Sequence, residues 1–305
     1  MHKLIRIGTR ESQLAVWQAT QVKELLAQHG FETELVFIKS EGDIDLVTPL
    51  YEMGVQGVFT RSLDTALLND KIDLAVHAMK DVPTQLAEGL IQSAVLKRAS
   101  YKDLLVYKEN TGFLNNFQSA AVIATSSIRR KAQWLHRYPN HTIEVLRGNV
   151  NTRLRKVTES NWNGAIFAAA GLERINLRPQ NAIELEWMLP APAQGAIMMV
   201  CREKDDFCLQ ACSNFNDAVT ALCTKIERDF LRCLLGGCST PISALAEVKD
   251  GHIYFKGNIF SPDGKEKAEI ELNCPVDDCG DNFGTVAAQQ ILIKGADRIV
   301  ESIRK

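Results

Sequence analysis

Apolar residues follow two rhythms along this chain. Residues 5–8 form a short strand-like run, and Leu14, Trp17, Val22 and Leu25 then fall on one stripe of a helix capped by Thr9 or Ser12. Phe31, Thr33, Leu35 and Phe37 alternate as in a strand, Leu63, Leu67 and Leu68 mark a second helix, and Ile72-Asp73-Leu74-Ala75-Val76-His77 reads as a buried strand. The pattern restarts after Lys97-Arg98-Ala99-Ser100. It predicts strands over 104–107, 120–124, 142–146 and 165–169, with helices over 128–136 and 150–158. Strands alternating with helices predict parallel sheets covered on both faces. Leu189-Pro190-Ala191-Pro192-Ala193 is a stiff connector, and the apolar run 197–200 beyond it predicts a strand returning to the first sheet. The expected fold is α/β: two similar lobes joined by a double crossover, with ligands bound outside the carboxyl ends of the strands.

The last part changes character. Val219, Leu222, Cys223, Ile226, Phe230 and Leu231 share one helical face, and Gly236-Gly237 ends that helix. Three strands are predicted over 242–248, 252–259 and 267–272, with Pro262-Asp263-Gly264 as a turn and a final helix over about 283–303. This makes a small C-terminal α+β domain. The expected division is 1–97 with 196–217 for the first lobe, 98–195 for the second, and 218–305 for the C-terminal domain. No apolar run approaches the roughly 20 residues needed to span a bilayer. The start goes straight into a strand pattern without the apolar stretch of a signal peptide, so a cytoplasmic protein with no membrane partner is expected.

Net charge is −2, which argues against a nucleic-acid partner, but the total hides an asymmetry. From Ala121 to Gln180 ten basic residues face only Glu144, Glu159 and Glu173, so that stretch carries +7 and the rest of the chain −9. An anionic ligand is expected there. All eight cysteines lie between Cys201 and Cys279. Disulfide frameworks belong to small secreted chains, and the spacings lack the close pairs of a zinc site, so most of these thiols are read as small buried apolar groups and no metal is expected.

Three kinds of segment carry chemistry. His77-Ala78-Met79-Lys80-Asp81-Val82-Pro83 lies at the carboxyl end of a buried strand, and Pro83 biases Val82 toward extended geometry. A carboxylate held there beside Lys80 stabilises a developing cation or moves protons; the blander reading is a solvated Lys-Asp pair in a surface loop. Thr125-Ser126-Ser127-Ile128-Arg129-Arg130 runs from strand into helix start, where hydroxyls, free N–H groups and paired arginines suit a carboxylate or phosphate. Arg147-Gly148-Asn149-Val150-Asn151-Thr152-Arg153 and Ala169-Ala170-Gly171-Leu172-Glu173-Arg174 repeat the idea at the next two strand ends, and three in succession make a basic cleft. Glycine-rich nucleotide fingerprints are absent. In Gly236-Gly237-Cys238-Ser239-Thr240-Pro241 the glycines give Cys238 little cover, and a thiolate is the natural nucleophile for covalent anchoring.

Taken in order, these segments resemble the porphobilinogen deaminase (hydroxymethylbilane synthase) family. The resemblance runs along nearly the whole chain: residues 7–15, 54–59, 77–83, 125–130, 146–153, 170–174, 189–196 and 236–241, with K-D-V-P, T-S-S-x-R-R, L-R-G-N-V and G-G-C as its specific motifs. It implies two periplasmic-binding-protein-like lobes and a third, smaller domain. It also implies a dipyrromethane cofactor, two linked pyrroles held by a thioether to Cys238. The implied reaction joins four porphobilinogen molecules into the linear tetrapyrrole hydroxymethylbilane and releases ammonia at each step, the growing polypyrrole chain being the second ligand.

By the same resemblance Asp81 is the catalytic aspartate. Loss of ammonia leaves porphobilinogen as an electron-poor azafulvene with positive charge on the pyrrole nitrogen, which a nearby carboxylate stabilises. Lys80, Thr125, Ser126, Ser127, Arg129 and Arg130 are implied to hold the cofactor, and Arg10, Ser12, Phe59, Arg147, Arg153, Arg174 and Gln194 the substrate or the elongating chain. Each porphobilinogen brings an acetate and a propionate, which accounts for the +7 stretch. A monomer is implied. Gln56 stands where the family's loop usually has lysine, Ala78 replaces a common serine, Ala193 the first glycine of G-Q-G, Gln13 a frequent proline, and Val47 an aspartate of some relatives. The rival class is a non-catalytic two-lobe module closing on a small anion, which leaves Gly236-Gly237-Cys238 unexplained; a cysteine-dependent hydrolase lacks an adjacent histidine.

Overall fold

The computed structural model describes residues 4–39, 60–234 and 240–304. Strand β1 (Ile5–Thr9), helix α1 (Gln13–Gln28) and strand β2 (Thr33–Phe37) form the first unit, with β1 and β2 parallel and Ile7 opposite Leu35. Of the two cap candidates Ser12 is the one used: its hydroxyl accepts from the Ala15 N–H at 3.4 Å. The buried stripe of α1 differs from the predicted one. It is Ala15, Gln18, Ala19, Val22 and Leu26, while Leu14, Trp17 and Leu25 are half-buried. Small alanines let the helix lie on the sheet, and Trp17 packs at the edge of that core with the Arg174 guanidinium of the other lobe over its ring, 5.7 Å from its centre.

Helix α2 (Arg61–Leu68), β3 (Leu74–Ala78) and β4 (Leu90–Val95) complete the first pass, after which the chain crosses over. In the second lobe β5 (Asp103–Tyr107), α3 (Gly112–Asn115), β6 (Val122–Ala124), α4 (Ile128–Arg137), β7 (Thr142–Glu144), α5 (Val150–Glu159), β8 (Gly164–Ala168), α6 (Ala169–Glu173) and β9 (Ala182–Glu184) follow. The chain then recrosses into β10 (Ile197–Arg202) and α7 (Asp206–Ser213) of the first lobe.

The two five-stranded sheets have matching orders, β2-β1-β3-β10-β4 and β7-β6-β8-β5-β9. In each, three parallel strands are followed by one antiparallel strand delivered directly from the other lobe: β5 pairs with β8 and β9, and β10 with β3 and β4. The returning strand expected over 197–200 is thus the fourth strand of the first sheet, and the double crossover is an exchange of strands. Strands β4 and β9 and helix α7 had no predicted counterpart. In β4 the polar pair Gln92-Ser93 interrupts the apolar run that would have marked it.

Helix α8 (Ala218–Leu234) packs on an antiparallel meander of β11 (Ile242–Lys249), β12 (His252–Phe260) and β13 (Lys267–Pro275), whose core includes Phe230, Leu234, Phe255 and Ile270. The expected single final helix is broken into α9 (Phe283–Ile291) and α10 (Asp297–Arg304), because Gly295 between them adopts φ 101°, a left-handed conformation no helix continues through. The end of α8 at Gly236-Gly237 lies outside the described residues.

One buried carboxylate joins the three parts. Glu227 of α8 accepts from Arg98 Nη1 and Nη2 at 2.6 and 3.1 Å, from the Ala193 N–H at 2.6 Å and from the Ala246 N–H at 2.7 Å. It therefore ties both crossing segments to β11. The crossing segments also touch each other at Gly195, where a Cβ would sit 2.7 Å from the Ala99 carbonyl oxygen. Ala193 beside it has φ 60°, so this alanine carries a strain, of order 1 kcal/mol, that the family's usual glycine avoids. Cys201, Cys208, Cys212 and Cys223 are buried in the cores, as expected for apolar use. Burial holds the thiols of Cys201 and Cys212 up at about 11 and 12, so they stay protonated.

Candidate functional site

The turns after β3, β6 and β7 are linked by hydrogen bonds, Ser126 to the Leu146 carbonyl and Lys80 through Gln194 to Asp103, and the end of β8 joins them through the Ile166 carbonyl, which accepts from Arg130. Strand β3 ends in a three-residue 3-10 turn, Met79–Asp81, with Met79 buried as its anchor and Lys80 and Asp81 half-buried. Val82 is extended (φ −88°, ψ 130°), as Pro83 requires. Burial draws the Lys80 ammonium down to about 8 against the opposing pull of Asp81, with Arg129, Arg130 and Asp103 also in range. His77, opposite Met198 in the sheet, is buried, and its Nε2 has no hydrogen-bond partner among the described residues. Burial and then Arg10 push its imidazole down to about 3, so it is neutral.

The segment from β6 to α4 is built as its residue types require. Ser127 caps α4, its hydroxyl accepting from the Arg130 N–H at 3.4 Å. Thr125 Oγ1 accepts from the Ser127 N–H at 3.2 Å, and Ser126 Oγ donates to the Leu146 carbonyl at 2.6 Å. These hydroxyls shape the turn. Behind them Arg129 and Arg130 converge on Asp103: Arg129 Nη2 donates to Oδ2 at 2.8 Å, and Arg130 Nη2 and Nε to Oδ1 at 2.7 and 3.1 Å. Burial raises the Asp103 carboxyl, but the two guanidiniums overcome this and bring it down to about 2. One carboxylate for two guanidiniums leaves a net positive charge, and Arg129 Nε is buried with no hydrogen-bond partner among the described residues.

Sequence reasoning missed Asp103. The signal was present: an ionisable residue opening the apolar run Leu104-Leu105-Val106 demands a buried cation. Gln194 is also fully buried, and it acts as a bridge. Its Nε2 donates to Asp103 Oδ1 at 2.9 Å and to the Tyr101 carbonyl at 2.7 Å, and its Oε1 accepts from Lys80 Nζ at 3.4 Å. Lys80, from the first lobe, is thereby joined to the arginine pair of the second.

The second basic turn follows β7. Asn149 caps α5, accepting from the Thr152 N–H at 2.9 Å, and Gly148 takes φ 112°. Arg147 is buried, and Arg153 Nε donates to the Gly148 carbonyl at 2.7 Å. Burial draws Arg153 down to about 10, helped by Arg130 and Arg147 and opposed by Asp81, so all four charges share one region. The third basic segment differs in use. Arg174 Nη2 donates to the Gly195 carbonyl at 2.7 Å while the side chain lies over Trp17, so it ties α6 to the connector and to α1. Gln13 joins the same seam, its Oε1 accepting from Asn151 Nδ2 at 2.9 Å, a bond the family's frequent proline could not make. Arg10 and Ser12 lie at the start of α1, Ser12 as its cap. Phe59, Gln56, Val47 and Cys238 lie outside the described residues.

The fold and cleft define a two-lobed α/β protein with a basic network running from one lobe to the other and the Lys80-Asp81 turn set beside it. Residues 5–210 match the family model "Porphobilinogen deaminase, dipyromethane cofactor binding domain", and residues 221–292 its "Porphobilinogen deaminase, C-terminal domain". Porphobilinogen deaminase of Chlorobium phaeobacteroides is 38% identical over 100% of this chain and 99% of its own. That of Syntrophotalea carbinolica is 41% identical over 98% and 96%, and the chloroplastic one of Oryza sativa 39% over 99% and 87%. The solved structure of the methionine binding protein MetQ is a distant likeness, 14% identical at TM-score 0.45 over 69% of this chain and 89% of that one; the sheet order, not this likeness, defines the fold. The chain belongs to the porphobilinogen deaminase family. It is a transferase of tetrapyrrole biosynthesis, with hydroxymethylbilane synthase activity on porphobilinogen and a dipyrromethane cofactor-binding domain. Among the described residues no helix is long and apolar enough to cross a membrane.

Proposed function

We propose that Asp81 is the catalytic carboxylate, that Cys238 carries the dipyrromethane, and that the basic turns hold the carboxylates of cofactor, substrate and growing chain. The observation that carries this is the wiring of the cleft: Lys80, next to Asp81 in the turn after β3, reaches through Gln194 to Asp103 and its arginine pair Arg129 and Arg130, and Arg153 lies within range of Asp81, Arg130 and Arg147. The residues suit a bis-pyrrole bearing four carboxylates: the unpartnered Nε–H of Arg129 and the charge left over from its pairing with Asp103 both call for an acid group. When bound, that group supplies the free pyrrole α-carbon to which the first unit is joined.

The chain's own residues do the rest. Arg147 and Arg153 bind the acetate and propionate of porphobilinogen and orient its aminomethyl carbon, while Lys80, Ser127, Arg129 and Arg130 hold the priming group. Arg10, Ser12 and Phe59 belong to the substrate side. Asp81, beside the pyrrole N–H, stabilises the positive charge that grows as ammonia departs and takes the proton released on coupling. Thr125, Ser126, Gln194 and Arg174 act by shaping the walls, since their polar atoms are engaged within the protein. The chain works as a cytoplasmic monomer divided as 1–97 with 196–217, 98–195, and 218–305, with neither nucleic acid nor membrane as partner.

Intact mass of the purified protein tests the cofactor assignment. A covalent addition of two pyrrole units, lost in Cys238→Ser and giving a colour reaction with Ehrlich's reagent, is expected; an active protein of unmodified mass refutes it. Arg147→Leu is expected to lower kcat/KM for porphobilinogen by about 10²-fold through loss of a charge-assisted contact. Steady-state kinetics check this, and unchanged values would remove Arg147 from the binding wall.

A further inference from the structure

Helix α8 sends two consecutive side chains in different directions. Glu227 holds the crossing segments, while Arg228 reaches the turn at the end of β3. Arg228 Nη1 donates to the Val82 carbonyl at 2.9 Å and to the Met79 carbonyl at 3.3 Å, and Nη2 donates to the Pro83 carbonyl at 2.6 Å. Those carbonyls flank Lys80 and Asp81 on both sides. Buried Met79 and Val82 anchor the turn to the first-lobe core, and its backbone bonds include Val82 N–H to the Met79 carbonyl at 3.2 Å and Met79 N–H to the Ala196 carbonyl at 3.0 Å; none of these contacts reaches the carbonyls of Val82 and Pro83 that follow Asp81. A single 3-10 turn is a weak element, and Pro83 has no N–H to contribute. A planar guanidinium with several fixed donors can hold three carbonyls in one arrangement; an ammonium on a flexible stem cannot.

We infer that Arg228 is a positioning residue for Asp81: a guanidinium from the C-terminal helix sets the turn that aims the carboxylate. The inference rests on the reading of Asp81 as the catalytic carboxylate. It also gives the C-terminal domain a part in the chemistry of the cleft besides any part in holding the cofactor. Displacing the carboxylate by about 1 Å costs rate without removing any group that binds substrate, so the effect falls on kcat rather than KM.

A double-mutant cycle tests it, using the full-length protein as purified with its covalent group. Arg228→Gln is expected to lower kcat by about 10–100-fold with KM changed less than about threefold, while the intact mass keeps its two-pyrrole addition. In an Asp81→Asn background the same substitution is expected to change kcat by less than about twofold, because the group it positions is already gone. Losses that multiply would show that Arg228 acts independently of Asp81 and overturn the inference. So would a retained kcat accompanied only by a lower melting temperature. Failure of the underlying reading is visible separately, as near-normal turnover by Asp81→Asn alone. If Arg228→Gln does not fold, Arg228→Lys keeps charge and stem without the fork; an intermediate kcat loss that vanishes in the Asp81→Asn background supports the inference, and full activity overturns it.

Discussion

Asp81→Asn is expected to fold, to keep its covalent dipyrromethane, and to lose on the order of 10²–10⁴ in turnover. The substitution preserves size and the 79–83 turn, whose geometry comes from Met79, Pro83 and the carbonyls held by Arg228 rather than from the carboxylate itself. What it removes is sign. The cleft around this turn is cationic through Lys80, Arg130, Arg147 and Arg153, a field suited to acetates and propionates but opposed to any positive charge developing on a pyrrole. Asp103, the other carboxylate in range of Lys80, is already shared between Arg129 and Arg130. Asp81 is therefore the group that reverses the potential locally, and an amide cannot do so. Single-turnover measurement of ammonia release, together with intact mass, checks the expectation. Near-normal tetrapyrrole formation by the variant would mean the carboxylate role is misassigned.

Asp103→Asn is expected to destabilise the fold by about 3–5 kcal/mol, because it leaves two buried guanidiniums without their anion. The asparagine can still accept one hydrogen bond, but among the described residues no other carboxylate pairs with these arginines: the other side-chain partners of Arg129 and Arg130 are the carbonyls of Leu189 and Ile166. The pH dependence has a definite sign. The folded-state carboxyl of Asp103 lies near 2, below the ordinary range near 4, so its contribution is fully present above about pH 4. As pH falls from 4 toward 2 the unfolded chain takes up the proton first and that contribution is lost. Urea unfolding from pH 7 down to pH 2.5 should therefore show wild type approaching the variant at the acid end. A constant gap across the range would contradict the ionic origin of the effect.

Local features of the fold were legible because they depend on neighbours in sequence. Helix starts were recognisable at Thr9 or Ser12 and within the 125–130 and 147–153 segments; the structure picks Ser12, Ser127 and Asn149 as the caps, each accepting from an N–H three residues on. The basic turns were found the same way, from arginines placed where strands end. The buried stripe of α1 was in part misplaced because Leu14 and Trp17 look like fully buried residues in a helical pattern, yet both lie half-buried where α1 meets α6 and Arg174 of the other lobe, Trp17 also packing on the core. The broken final helix was missed because Gly295 costs an isolated helix only about 1 kcal/mol, and tertiary packing decides whether it becomes a break.

Residue types at short spacing thus determined on their own the α/β class, the basic turns at the strand ends and the Lys80-Asp81 turn. Only the tertiary structure decided how those parts are wired. Asp103 meets Arg129 and Arg130, Gln194 joins Lys80 to Asp103, and Arg228 meets the carbonyl of Val82, at sequence separations of 26, 27, 114, 91 and 146 residues. A buried charge must find a partner, and the sequence states that need plainly. Which partner it finds depends on two sheets exchanging strands, a long-range event that no local pattern encodes.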